Sequence, residues 1–258
     1  MARLIATLFV LLNLQCTGQH PKSISNESDK VSVQAEDTLA KTTITKSLQE
    51  LKLKKDQGKS YTLVLRKIKA QKNEFRGKNI APDSLATVFT NALLNRVLPF
   101  WEGTEWSFEG YTAVPKKGKI ACGYFVSTTL RDVGINLNRY RLAQLSPIDE
   151  AKNLALQKEV ITVTENSVEK SIASINDTLK NGIHFIGFDT SHVGYLLKQN
   201  EQSYIIHSNY INSEGVIIEK IEESPVFSSY DRFYLVEIST NGRILQHWVN
   251  GTELVISN

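Results

Sequence analysis

The 258-residue sequence predicts an α+β domain, and three observations carry that reading. Apolar side chains recur at helical spacing between residues 85 and 133, and after Gly182 the spacing changes to every second residue. Capping and stop residues stand at the boundaries that each periodicity needs. Helices that come before a run of short strands, rather than alternating with them, specify helices packed on an antiparallel sheet. A composition of 41% hydrophobic and 22% charged residues, with 14 Gly and 6 Pro, excludes a collagen-like or low-complexity chain and suits one globular core.

Residues 1–15 open on Arg3, run through apolar positions 4–12 and turn polar at Asn13, the make-up of an export signal. The run is shorter than the roughly 20 apolar residues that span a bilayer. Cys16 follows, and the arrangement resembles the lipobox of bacterial lipoproteins, with Leu14 at an acceptable position and Gln15 where a small residue is usual. That resemblance implies lipidation of Cys16 and anchoring in the bacterial cell envelope, on the periplasmic side or the cell surface. An ordinary secretory signal with an incidental Cys16 is the alternative. Residues 16–43 are rich in Ser, Lys, Asp, Glu and Asn and read as a tether, which leaves residues 44–258 as the folded domain.

Residues 43–75 are Lys-rich with apolar positions of mixed period, consistent with two short helices or one lead-in helix. Asp83 is the expected cap of an amphipathic helix through Leu85, Val88, Phe89, Ala92, Leu93 and Val97, with Pro99 as its stop. Residues 99–121 then form a loop in which Trp101, Trp106, Phe108 and Tyr111 alternate with glycines. A further helix starts at Cys122, presents Phe125, Val126, Thr129, Leu130 and Val133 on one face, and ends at Gly134. Ser146 followed by Pro147 is an N-cap for a helix to about Lys158, and Ser167 opens another that Gly182 ends. Short β-type runs follow at 183–189, 192–198, 203–209, 216–221, 232–239 and 244–249, giving a sheet of about five to six strands.

Cys122, at the first turn of its helix, faces unpaired backbone N–H groups and the positive end of the helix dipole. That position is expected to favour the thiolate. A thiol nucleophile needs a base within reach and a group that orients the base. If residues 199–202 close a hairpin, Lys198 pairs with Ser203 and His192 lies opposite Asn209. His207, two residues along, then shares a face with His192 as its diagonal neighbour.

These stretches resemble the NlpC/P60 cysteine peptidases of bacterial cell walls. The resemblance rests on Gly103-Thr104 and Trp106 in the aromatic loop, on Ala121-Cys122-Gly123-Tyr124-Phe125-Val126, on His192-Val193-Gly194-Tyr195-Leu196 and on His207-Ser208, in the family's order across about residues 85–240. It implies a papain-like domain in which Cys122 is the nucleophile, His192 the base and His207 the residue that orients it, with Asn209 or Asp189 as alternatives for that third role. Trp106 is expected to line the cleft, and an oxyanion site to use the Cys122 N–H and a donor near Trp106. Ala121 and Gly123 stand where the family carries Asp and Ser. The 70 residues from Cys122 to His192 exceed the usual spacing and imply a helical insertion at about 140–182.

The function so implied is an envelope-anchored cysteine hydrolase that cleaves an amide bond in peptidoglycan stem peptides. The alternatives are a lipoprotein that binds wall peptide or a partner without cleaving it, and a thiol amidase acting on another amide. No cofactor or metal is expected. Thirty basic against 27 acidic side chains give a net charge of +3, too slight a bias for a nucleic-acid binder.

Overall fold

A six-stranded antiparallel sheet with helices on both faces organises residues 60–257, which are the residues described by the computed structural model and belong to a unit spanning residues 44–258. The expected export signal and tether, with Cys16, lie outside the described residues. Among those described, no helix is long and apolar enough to cross a membrane.

Helix α1 (Tyr61–Phe75) is capped by Ser60, whose side chain accepts from the Leu63 N–H. Helix α2 (Pro82–Asn91) starts with Pro82 at its first turn, and Asp83 sits inside that turn, where its charge suits the helix dipole, rather than capping it. Pro99 does not stop this helix. A π-helical turn over Ala92–Val97 leads directly into α3 (Leu98–Trp101), and the wider turn provides for the missing Pro99 N–H that would break a regular helix.

Helix α4 (Cys122–Val133) has the boundaries expected of it, with Gly134 at φ 109° as its left-handed stop. After the short strand β1 (Asn136–Leu137) come α5 (Arg139–Ala143), α6 (Pro147–Ala155), β2 (Ile161–Thr164) and α7 (Val168–Thr178). Ser146 and Ser167 cap α6 and α7 as expected. Both helices end early, α6 at Leu156 in the left-handed conformation and α7 at the extended Leu179. The segment at 140–182 is therefore not purely helical. Its strand β2, in which Val163 is buried between exposed threonines, is not legible in the sequence, since four residues carry too little periodicity.

The remaining strands are β3 (Gly182–Phe188), β4 (His192–Gln199), β5 (Gln202–Asn209), β6 (Gly215–Lys220) and β7 (Arg232–Glu237). Their order, β2-β7-β3-β4-β5-β6, makes a meander of β3 to β6, with β7 returning to the far side of β3. The β4–β5 register pairs Lys198 with Ser203 as expected, although the turn is tighter: Gln199 pairs with Gln202, and Asn200 takes φ 55° in a two-residue connection. Residues 244–249 are not a strand. They belong to helix α8 (Gly242–Asn250), in which Ile244, Leu245, Trp248 and Val249 form one buried face and the Asn241 side chain caps the start. Strand β8 (Glu253–Leu254) pairs with β1 in a separate two-stranded sheet.

Alternating side chains divide the main sheet between two cores. Phe185, Val193, Tyr195, Ile206 and Ile218 face Phe125, Val126 and Leu130 of α4. Ile186, Phe188, Leu196, Ile205 and Phe233 face Ile175 of α7 together with Val226 and Phe227. The strands are thus covered on both sides, which explains their nearly unbroken apolar runs.

Candidate active site

Three ties fix the start of α4 against the sheet. The Tyr195 hydroxyl on β4 donates to the Val126 carbonyl at 3.0 Å and lies 2.7 Å from Thr129 Oγ1, so the strand that begins with His192 is bolted to the helix that begins with Cys122. The Ser208 hydroxyl, next to His207, donates to the Ile120 carbonyl at 2.7 Å. The Ala121 N–H donates to the Gly110 carbonyl at 2.8 Å, which holds the aromatic loop against the same turn. All these groups are backbone or buried hydroxyls, so the geometry is set by packed elements.

Cys122, His192 and Trp106 line one cleft of about 780 Å³. His192 and His207 occupy the diagonal positions expected of them, with His192 Nε2 2.8 Å from His207 Nδ1 and the rings crossed at 80°. Gly194 lies across from His207, and a Cβ there would stand 2.9 Å from that of His207, so this position of the His-Val-Gly run must stay small. His207 Nε2 in turn lies 3.2 Å from Glu219 Oε1, off the axis of an aligned hydrogen bond but close enough for the carboxylate to attract an Nε2–H dipole. Glu219 also accepts from the Ser224 hydroxyl. A carboxylate at Nε2 favours the proton on that nitrogen; His207 Nδ1 then accepts from His192 Nε2–H, and His192 Nδ1 keeps a lone pair.

Glu219 is a residue that the sequence reading misses. Strand β6 pairs Ile217 with His207, which makes Glu219 the diagonal neighbour of His207 by the same rule that joins the two histidines. The signal is legible in period, but the register depends on residues 210–214, a turn with two left-handed residues, Asn212 and Ser213.

The alternatives for the third role are placed elsewhere. Asn209 organises that turn, donating to Glu214 Oε2 at 2.9 Å and accepting from the Ile211 N–H at 2.8 Å. Asp189 stands in the β3–β4 turn at φ 40°, with its carboxylate 3.6 Å from Arg232. Trp106 lies with its ring centroid 6.3 Å from that of Tyr210, which in turn lies 5.3 Å from His192, so the aromatic loop closes over the histidine. Tyr210 and Tyr230, which no sequence motif singles out, complete that wall with hydroxyls 3.2 Å apart. Tyr124, also on the wall, lies under the Arg139 guanidinium at 5.4 Å.

The expectation of a lowered thiol pKa is overturned. Burial pushes the Cys122 thiol up to about 11, and the nearby Glu150 carboxyl adds to the rise. The N–H groups of Val193, Gly123 and Cys122 itself work in the opposite direction without prevailing. Desolvation wins because it acts on the whole thiolate charge, whereas the helix end offers partial charges. Burial, and the charge of His207 after it, hold His192 well below the ordinary imidazole range. The pair therefore rests as a neutral thiol and a neutral imidazole. Iodoacetamide labelling of Cys122 is expected to rise about tenfold per pH unit from pH 7 to 10; levelling by pH 8.5 would show that the helix end dominates after all.

Gly123 has a structural reason to carry no side chain. A Cβ there would stand 2.7 Å from the Ala143 carbonyl, so α5 packs directly on the first turn of α4 and leaves no room for a side chain. Among the described residues no group of three His, Cys, Asp or Glu side chains is arranged to hold a metal ion. Comparison with protein-family models, with curated proteins and with solved structures returns no match.

Proposed function

We propose that this chain is a papain-like cysteine hydrolase of NlpC/P60 type that cleaves an amide bond in peptidoglycan stem peptides, held at the bacterial cell envelope by a lipid on Cys16. The observation that carries the reading is the His192–His207 pair, backed by Glu219, with His192 lining one cleft together with a thiol at a helix start. In this mechanism His192 takes the proton from Cys122 as the sulfur attacks the scissile carbonyl carbon. The developing oxyanion is met by backbone N–H groups of the α4 start. The tetrahedral intermediate collapses with loss of the amine, which receives the proton from His192, and leaves a thioester. Water, deprotonated by His192, then releases the acid and the free thiol.

The raised thiol pKa is compatible with this route, because the proton passes to a neutral imidazole as the sulfur attacks and no standing thiolate is required. The same raised pKa also suits a second reading, a cleft that binds wall peptide without cleaving it. Muropeptide digestion separates the two. Purified protein is expected to release a stem-peptide fragment, seen by mass spectrometry, and Cys122→Ala to release none. Equal behaviour of the two proteins on every wall preparation would leave only binding, and cleavage confined to other amides would replace the substrate with a non-peptidoglycan one.

A further inference from the structure

Few large apolar side chains stay exposed among the described residues, and most of those gather at one rim of the domain. Phe108 is 84% exposed, Tyr111 62% and Val114 48% on the aromatic loop, and Tyr140 is 52% exposed on α5. Tyr124 joins the two groups, with its ring centroid 6.2 Å from that of Tyr111 and 5.9 Å from that of Tyr140. Single exposed apolar residues are ordinary, but a cluster of them marks an interaction surface.

The cluster is firmly built. Tyr111 and Ile120 form an antiparallel bridge, and the Thr112 N–H donates to the Lys119 carbonyl at 3.0 Å, which closes residues 111–120 into a hairpin. Buried Arg139 donates to the Tyr111 carbonyl at 2.6 Å and sets its guanidinium 4.5 Å from the Tyr140 ring centroid, so one side chain holds both halves.

Positive charge accompanies the rings. Residues 110–121 and 139–143 hold Lys116, Lys117, Lys119, Arg139 and Arg141 and no acidic side chain, in a chain whose charges nearly balance. Lys119 meets Glu105 at 3.5 Å, whereas Lys116, Lys117 and Arg141 are exposed without an ion-pair partner among the described residues, against the single charge of Glu109 beside Phe108. Phe108 and Val114 offer a saccharide no hydrogen bond. A protein partner seals a ring within a surround of neutral contacts, which a ring so far exposed on a loop does not have. A bilayer closes around any protruding ring, and its anionic phosphates take the lysines, whose stems lie along the apolar layer.

We infer that this rim docks the domain on an anionic lipid surface, with Phe108, Tyr111 and Val114 entering the headgroup layer and Lys116 and Lys117 beside the phosphates. Because Phe108 and Tyr111 also line the Cys122 cleft, the docked domain opens that cleft at headgroup level.

The test places a reporter at Phe108. Full-length Phe108→Trp protein is mixed with vesicles of acyl-brominated phosphatidylcholine, with or without phosphatidylglycerol. Emission above that of the wild-type chain, which shares the other 3 tryptophans, belongs to the new indole. The readout is local, so attachment of the chain through residues 1–16 does not imitate it. Vesicles with phosphatidylglycerol are expected to quench the indole and shift its emission to the blue, and phosphatidylcholine alone to do so weakly. Adding Lys116→Gln and Lys117→Gln should lower the docked-to-free ratio about 30-fold, the effect of two charges near an anionic surface. All three positions are exposed, so the variants should keep the wild-type fold. An indole that brominated lipid does not quench, or quenches equally with and without phosphatidylglycerol, overturns the proposal. A blue shift that grows with protein concentration in lipid-free buffer assigns the surface to a second copy, and one produced by chitotetraose assigns it to a saccharide; either overturns the lipid surface. A protein that docks and cleaves nothing keeps this proposal and loses the hydrolase reading.

Discussion

His192→Ala is expected to lower kcat/KM for amide hydrolysis by about 10³-fold, the usual contribution of a positioned general base. That corresponds to about 4 kcal/mol of transition-state stabilisation. The loss should exceed that expected from a nucleophile that ionises by itself. Cys122 has its pKa pushed up to about 11, so without His192 the thiol has nowhere to send its proton near neutral pH. The pH profile provides the second signature. Because burial holds His192 well below its ordinary range, the wild-type rate should keep its acid limb below pH 6.5, whereas the residual rate of the variant should climb steadily with pH toward the thiol pKa. His207→Ala should cost less, since it removes the partner that orients the imidazole and not the base. A His192→Ala protein that hydrolyses amide as fast as wild type, with Cys122 still required, would remove His192 from the mechanism.

Gly215→Ala is expected to be the most damaging small change to stability in the described structure. Gly215 takes φ 83°, and a Cβ would stand 2.1 Å from the Thr104 carbonyl oxygen, a backbone atom with no freedom to move aside. Strain in the left-handed region and overpacking add to about 3–5 kcal/mol, or roughly 10 °C in Tm for a domain of this size. The cost reaches the cleft, because this junction ties β6 to the aromatic loop. The Val216 N–H donates to the Thr104 carbonyl at 2.9 Å, and the Gly103 N–H donates to the Val216 carbonyl at 2.7 Å. Trp106 follows directly in that loop, so Gly215→Ala should raise KM as well as lower Tm. Gly242→Ala is the matched control: nothing lies within 4 Å of its Cβ position, it sits in a helix, and Ala there should leave Tm unchanged or slightly raised. Equal melting temperatures for the two variants would contradict the packing argument.

The site is readable from the sequence to the extent that its parts obey local periodicities. The alternation along β4 and β5 suffices to place His192 and His207 on one face, because a two-residue repeat leaves only a hairpin register to settle, and Lys198 with Ser203 settles it. The cap at Ser146 and the stop at Gly134 are legible for the same reason, since each acts on backbone groups within a few residues. Residues 244–249 mislead because Ile244, Leu245, Trp248 and Val249 suit a strand by type, and only the Asn241 cap and the packing of Trp248 against α4, through Nε1 to the Val133 carbonyl at 2.8 Å, decide for a helix. Pro99 misleads because a local rule for helix ends does not foresee a π turn.

The sequence by itself determined the α+β class, the start of a helix at Cys122 and the shared face of the two histidines. These follow from backbone hydrogen bonding and side-chain period, which act over a few residues. Only the tertiary structure decided the ionisation of Cys122, the place of Glu219 behind His207 and the presence of Glu150 in the cleft. Each depends on what distant segments bring together in space: desolvation by the segments packed around the sulfur, the β5–β6 register, and the placing of α6 in the cleft wall. Charge and burial in a folded chain are collective quantities, and no local pattern of residues carries them.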